Sequence, residues 1–401
     1  VNALRRQITT HGPLTVARFM ELALYDPEHG YYARAAQRSG RMGDFYTSVD
    51  VGPLFGTLLA RLVAQAWRVL GAPTRMDLVE AGAGNGRLAC DVFDALARDE
   101  RRCYEAVRLT LIERSQAARE AQPDTLAAHA GQLAARLDEL PWDIHGLIYA
   151  NELLDAFPVH RVRMTRAGLR ELYVDRVGDR LQLVEGPPST PRLHDYFQHL
   201  NIALAPGTTA DVSLAAVDWC ARASRSLRRG FLLLLDYGHA APTLYGEPGT
   251  GGTLRAYSRH LVDAPPSPTS GTPPPVAGTS HDADGVESGS EHPSWLTRPG
   301  QQDLTADVNF TAVERALTHG GLRRHAFVDQ FRFLLALGLP DLLQEPPGEP
   351  PSLGAIRQRL VARTLVSPEG LGGSHRALLM ATAGVAALGF RFEAPWPSRG
   401  A

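Results

Sequence analysis

The 401-residue chain has no lysine; all 41 of its Lys+Arg residues are arginine. This rules out chemistry carried by a lysine amine, including Schiff bases, pyridoxal-phosphate anchoring and the Walker-type phosphate loop. Cysteine is scarce: Cys90, Cys103 and Cys220 form no C-x-x-C pair. Neither a disulfide framework nor a structural zinc site is expected, and the thiols read as reduced groups of a cytoplasmic protein. A formal net charge of −2 gives no sign of nucleic-acid binding. Membrane insertion is not expected, because no stretch reaches the ~18 consecutive apolar residues of a spanning helix. Residues 1–14 lack the pattern of a secretory signal. No His/Asp/Glu group has metal-ligand spacing along the chain, so no metal is expected.

What is present reads as alternating strand and helix. Residues 1–70 form an N-terminal helical region with apolar spacing over 14–24 and 53–70, and a loop between them. Apolar runs at 76–80, 107–112 and 146–150 read as strands, with helical spacing at 87–98 and from 116 onward. This order predicts an α/β fold with a Rossmann-like, doubly wound parallel sheet over 71–401. An inserted β-rich lobe is expected over about 161–200, followed by a helix at 214–228 and a buried strand at 230–236. A helix at 311–318 and strands at 324–328 and 376–382 complete the pattern. Residues 264–300, rich in Pro, Ser, Thr and Gly, read as a disordered insertion, with Trp295 able to dock locally.

The strongest local signal is Glu80-Ala-Gly82-Ala-Gly84-Asn-Gly86, between the first strand and first helix. Gly82 and Gly84 permit a sharp turn and close approach to a ligand, and Gly86 lets the helix begin near the sheet. The amides at that helix start suit an anionic group. Dinucleotide enzymes use G-x-G-x-x-G. A G-x-G-x-G loop preceded by an acid is instead the common pattern of class I S-adenosylmethionine (SAM) methyltransferases. Glu113, closing the second strand, would hold the ribose hydroxyls of SAM or equally of NAD. A structural loop with no ligand is the third reading.

Further segments carry a family resemblance. Gly12-Pro13-Leu14, Phe19-Met20, Asp26-Pro27, Gly30-Tyr31-Tyr32 and Gly43-Asp44-Phe45-Tyr46-Thr47-Ser48 come first. Asn151-Glu152-Leu153-Leu154-Asp155-Ala156-Phe157-Pro158-Val159, Asp236-Tyr237-Gly238, Gly252-Thr253-Leu254-Arg255 and Asp303-Leu304-Thr305 follow. Over about residues 4–382 the chain resembles the MidA family of SAM-dependent methyltransferases. Its mitochondrial members are complex I assembly factors that methylate an arginine. The resemblance implies a class I methyltransferase fold, SAM as cofactor, and a protein substrate such as a respiratory complex I subunit homologue. Two departures stand out: Ala83 where the family usually has proline, and Val49-Asp50 where Pro-Glu is common.

Methyl transfer needs an in-line nucleophile and exclusion of water. An arginine substrate arrives charged, and carboxylates can grip its guanidinium while turning one nitrogen toward the methyl. Glu152, assisted by Asp155, is the expected clamp, and Asp44 belongs to a loop able to close as a lid. Glu80, Gly82, Gly84, Gly86, Glu113 and Asn151 are the expected cofactor-binding residues. Asp155 could instead brace its turn, and Asp236 could equally bond its own turn. His239 is the one histidine at an expected strand end beside the crevice. A small-molecule methyltransferase and a SAM-binding assembly factor without turnover are the competing functions.

Overall fold

The computed structural model describes residues 2–33, 48–49, 52–246, 251–258, 261–263, 293–344, 352–368 and 370–392. The chain divides into two compact units: 1–34 with 156–215 and 240–307, and 35–155 with 216–239 and 308–401.

The second unit is built on a twisted sheet. Its main strands are β1 Met76–Ala81, β2 Val107–Ile112, β3 Leu133–Leu137, β4 Ile144–Asn151, β5 Leu227–His239, β6 Leu322–Asp329 and β7 His375–Thr382. They run in the order β6-β7-β5-β4-β1-β2-β3, with the two-residue strand Val308–Asn309 also pairing β5. The pairs from β5 through β4, β1 and β2 to β3 are parallel, whereas β7 is antiparallel to both β5 and β6. This is the doubly wound sheet that the strand–helix alternation predicts. β3 and the reversed direction of β7 are additions to that expectation.

Both sheet faces are covered. Alternate strand residues, among them Leu78, Leu111, Tyr149, Phe231 and Leu379, share one core with Phe55, Leu58 and Phe93 from flanking helices. Ile148, Leu232, Leu234 and Met380 are buried as well. Burial on both faces explains why β5 reads as an unbroken apolar run rather than an alternating one. The helix Leu54–Val69 packs so tightly on the helix Arg87–Asp99 that a Cβ on Gly56 would lie 2.4 Å from the Asp91 Cβ. This helix buries its apolar face within the sheet unit and groups with it, so the compact unit reaches upstream of residue 70.

The first unit is antiparallel. Strands His160–Thr165, Gly168–Val177 and Arg180–Gly186 form the lobe read from the sequence. Thr209–Val212 joins it from beyond residue 200, and Leu14–Thr15 pairs with Gly168–Val177. Its interior holds the Arg161–Asp211 ion pair at 3.6 Å. Asp211 also accepts the Thr253 and Leu254 amides at 2.6 and 2.8 Å. Tyr32 donates to Asp303 at 2.9 Å. Several family segments thus hold one another together and serve the architecture of this unit.

The end of the Pro-rich insertion is a correction. Residues 264–292 lie outside the described residues. Residues 293–300 are ordered, because Trp295 is buried against Phe19, with ring centroids 5.6 Å apart, beneath the Arg161 guanidinium. A large buried indole offsets the ordering cost that the flanking composition cannot.

Candidate active site

The sheet order reverses between β1 and β4: β2 and β3 extend to one side, β5 and β7 to the other. Ligand crevices of open α/β sheets lie outside the carboxyl ends of the strands at such a switch point. The glycine loop leaves β1 there, and Asn151-Glu152 leave β4 beside it. Glu80 stands in register with Tyr149, and Leu235 with Asn151.

The loop is held by its own backbone. The Gly82 and Ala83 amides donate to the Ile112 carbonyl at 2.9 and 3.0 Å, and the Gly86 amide to the Ala83 carbonyl at 2.8 Å. Gly84 at φ +52° and Gly86 at φ +86° occupy left-handed backbone, where a β-carbon is penalised. A Cβ on Gly84 would meet nothing within 4 Å, so the loop's outer side is open. The Gly84 amide donates to Glu113 Oε2 at 2.9 Å, and the Ser115 amide to Oε1 at 2.7 Å. Glu113 is thereby fixed on the loop while its oxygens retain acceptor capacity for a hydroxyl. Gln122 Nε2 donates to the Gly84 carbonyl at 2.8 Å from the other side.

Glu80 is buried and accepts the Tyr149 hydroxyl at 2.9 Å. Burial pushes its carboxyl up to about 8. The Tyr149 bond and the Ala89 amide, in the first turn of the helix Arg87–Asp99, pull it down, and the Glu113 charge raises it further. A positively charged ligand arriving at the open loop would favour the ionised carboxylate, so its binding and the loss of the Glu80 proton are linked.

Glu152 sits at φ +50°, strained for a residue with a side chain. Its amide donates to the Leu235 carbonyl at 2.8 Å, which fixes the turn. Its side chain is 12% exposed, and Oε1 accepts the Ser48 amide at 3.1 Å and Asn151 Nδ2 at 3.3 Å. Asn151 Oδ1 is buried and accepts no hydrogen bond from the described residues. Such an acceptor costs free energy unless a ligand donor satisfies it. Together with the open side of Gly84, it makes this crevice fit SAM, whose ammonium and hydroxyls are donors.

Asp155 and Asp236 divide differently. Asp236 Oδ2 accepts the Leu153 and Leu154 amides at 3.1 and 2.8 Å, and Oδ1 the Tyr237 amide at 2.9 Å. It bonds its own and the neighbouring turn. Burial first, then the Asp155 charge, push Asp236 well above the usual carboxylate range, against the pull of those amides. Asp155 is buried and accepts the Tyr237 hydroxyl at 2.6 Å.

One site residue escaped the sequence. His375 opens β7, and because β7 runs antiparallel its first residue lies opposite Tyr237, at the carboxyl ends of the parallel strands. Its Nε2 is 3.6 Å from Glu152 Oε1, its Nδ1 is 3.0 Å from the Ser374 hydroxyl, and its ring meets Tyr237 edge-on at 5.6 Å. His239 instead ends β5 and pairs through its backbone with Asn309. Asp44 and the proposed lid lie outside the described residues; Ser48, at that segment's end, is buried and reaches both Glu152 and Gln330.

A doubly wound sheet of this order, with an antiparallel β7 and a G-x-G-x-G loop after β1, defines a class I SAM-dependent methyltransferase. Residues 58–328 match the family model described as "Putative S-adenosyl-L-methionine-dependent methyltransferase", and the chain belongs to that family. It is 28% identical to human protein arginine methyltransferase NDUFAF7, mitochondrial, over 92% of this chain and 80% of the relative. The mouse protein of that name is 27% identical over 92% and 81%. A Burkholderia thailandensis protein crystallised with S-adenosyl-homocysteine superposes with a TM-score of 0.79 at 28% identity, covering 96% of this chain and 92% of that one. SAM is the cofactor.

Proposed function

We propose that this methyltransferase modifies an arginine side chain of a protein substrate, with a homologue of a respiratory complex I subunit as a candidate partner. The observation that carries the reading is Glu152, a nearly buried carboxylate held in left-handed backbone beside the glycine loop. The names of the NDUFAF7 relatives support it.

Glu80, the amides of Gly82, Gly84 and Gly86, Glu113 and Asn151 would hold the cofactor. When bound, SAM supplies an electrophilic methyl on a sulfonium leaving group. Glu152 would accept N–H bonds from the substrate guanidinium, pairing its charge and turning a nitrogen toward the crevice. A guanidinium with a pKa above ~12 must lose a proton as its new bond forms. Glu152 Oε1 and the adjacent His375 Nε2 are the acceptors at hand. Asp155, held by Tyr237, would steady the turn and add negative charge.

The test is transfer of labelled methyl from SAM into proteins of a lysate from a strain lacking the gene. The reading expects a labelled protein band with the wild type and strong loss of it with Glu152→Gln. Label confined to the small-molecule fraction, or a band that Glu152→Gln leaves at full strength, would overturn it.

A further inference from the structure

The helix that starts at the glycine loop carries a second cluster. Cys90 and Asp94 lie one turn apart on Arg87–Asp99, and His129 arrives at the end of the short helix Ala127–His129. The Cys90 sulfur, an Asp94 carboxylate oxygen and a His129 ring nitrogen all lie within 4.8 Å of one another. We propose that these three residues bind a divalent transition cation, zinc by the character of the donors. One thiolate, one imidazole and one carboxylate form a mixed S/N/O set of the kind zinc accepts, and three protein ligands leave a coordination position for water.

The imidazole is built like a metal ligand. His129 is buried, its ring held at 5.7 Å from both Phe93 and Tyr104. Its Nδ1 is 3.1 Å from the Tyr104 hydroxyl and its Nε2 is 3.0 Å from Asp94 Oδ1. A ligating histidine characteristically uses one nitrogen for the metal while an outer partner fixes the other. Tyr104 is placed to be that partner, accepting from Nδ1–H and leaving the Nε2 lone pair toward Asp94. Two ligand atoms of one tetrahedral cation at ~2.1 Å are about 3.4 Å apart, so Nε2 and Asp94 Oδ1, now 3.0 Å apart, need open by only a few tenths of an ångström to share an ion.

Charge favours a cation as well. Asp91 and Asp94 both lie within one turn of Cys90 on the same helix. Two carboxylates near the thiol draw a divalent ion by charge. Binding displaces the thiol proton, which leaves to solvent, and keeps the single imidazole proton on Nδ1 so that Nε2 can coordinate. The linear sequence hides this site because His129 lies 35 residues beyond Asp94.

The position gives the site leverage on the cofactor loop. The Cys90 amide donates to the Gly86 carbonyl, and Gln122, upstream of His129, holds the Gly84 carbonyl. A bound ion would tie together two segments that brace the loop.

The experiment titrates the metal-stripped full chain with Co²⁺ and follows visible absorption, then competes with Zn²⁺. A thiolate-to-cobalt charge-transfer band saturating near one equivalent, and its loss on adding Zn²⁺, is the expected result. Cys103 and Cys220 are buried and cannot substitute, so Cys90→Ser should abolish the band. Asp94→Asn, at an exposed position and safe for folding, should weaken Zn²⁺ binding about 10-fold or more. Absence of the band in folded wild type, or its persistence in Cys90→Ser, would overturn the site.

Discussion

The Tyr149 hydroxyl donates to Glu80 Oε2 at 2.9 Å inside the second unit, one strand apart in parallel register. This pair lies at the start of the glycine loop. Burial raises the Glu80 carboxyl to about 8, while the Tyr149 bond opposes the rise. In the unfolded chain the same group titrates near its ordinary value of 4.5. Between those two pH values the folded state keeps a proton that the unfolded state has lost. Stability therefore falls as pH rises through this window, levels above about 8, and suffers no such penalty below 4.5. Glu80→Gln should flatten the decline in melting temperature of the SAM-free protein across that window. The same variant should weaken SAM binding, read by calorimetry. Tyr149→Phe removes the opposing bond and should extend the decline to higher pH.

Gly84→Val tests the loop's backbone. A β-branched residue at φ +52° costs about 1–2 kcal/mol of strain, and it crowds the open side of the loop. SAM affinity should drop by at least about tenfold, with circular dichroism preserved. Unchanged affinity would remove the loop from the cofactor site.

Glu152→Gln keeps the side-chain shape and removes its charge. Transfer should fall about 10²–10³-fold, the loss typical of a deleted transition-state electrostatic contact, with SAM affinity almost unchanged. The split between rate and cofactor binding distinguishes a substrate clamp from a cofactor ligand.

His375→Gln should also reduce transfer, but less than Glu152→Gln, since the imidazole stands 3.6 Å behind Glu152 rather than replacing it. A double variant no slower than Glu152→Gln alone would place both residues in one functional unit.

Trp295→Ala should destabilise the first unit by about 3–5 kcal/mol, the usual result of emptying a buried aromatic site. A melting curve identical to that of the wild type would mean that Trp295 does not anchor the end of the insertion.

The glycine loop and the strand ends were legible because their signals are local: a short motif, an apolar run, an acid two residues before a glycine. β3 was not legible, since Leu133–Leu137 alternates half-buried and exposed residues and has no apolar run. The pairing of Leu14 with Val174 joins residues far apart in the chain, which no local pattern encodes. It left the grouping of residues 1–33 with the lobe unreadable. His375 was missed for a topological reason. Only the antiparallel direction of β7 brings its first residue to the site, and strand direction is not written in a strand's composition. Asp236 could be read two ways from sequence; its three backbone hydrogen bonds favour the turn-bonding role.

The central claim is tested most directly by tandem mass spectrometry of proteins methylated by the purified chain with isotope-labelled SAM. The chain's own 41 arginines require an enzyme-only control for automethylation. The account predicts label on a guanidinium nitrogen of an arginine in a separate protein, lost with Glu152→Gln. Label on another residue type, or solely on the enzyme itself, would contradict it.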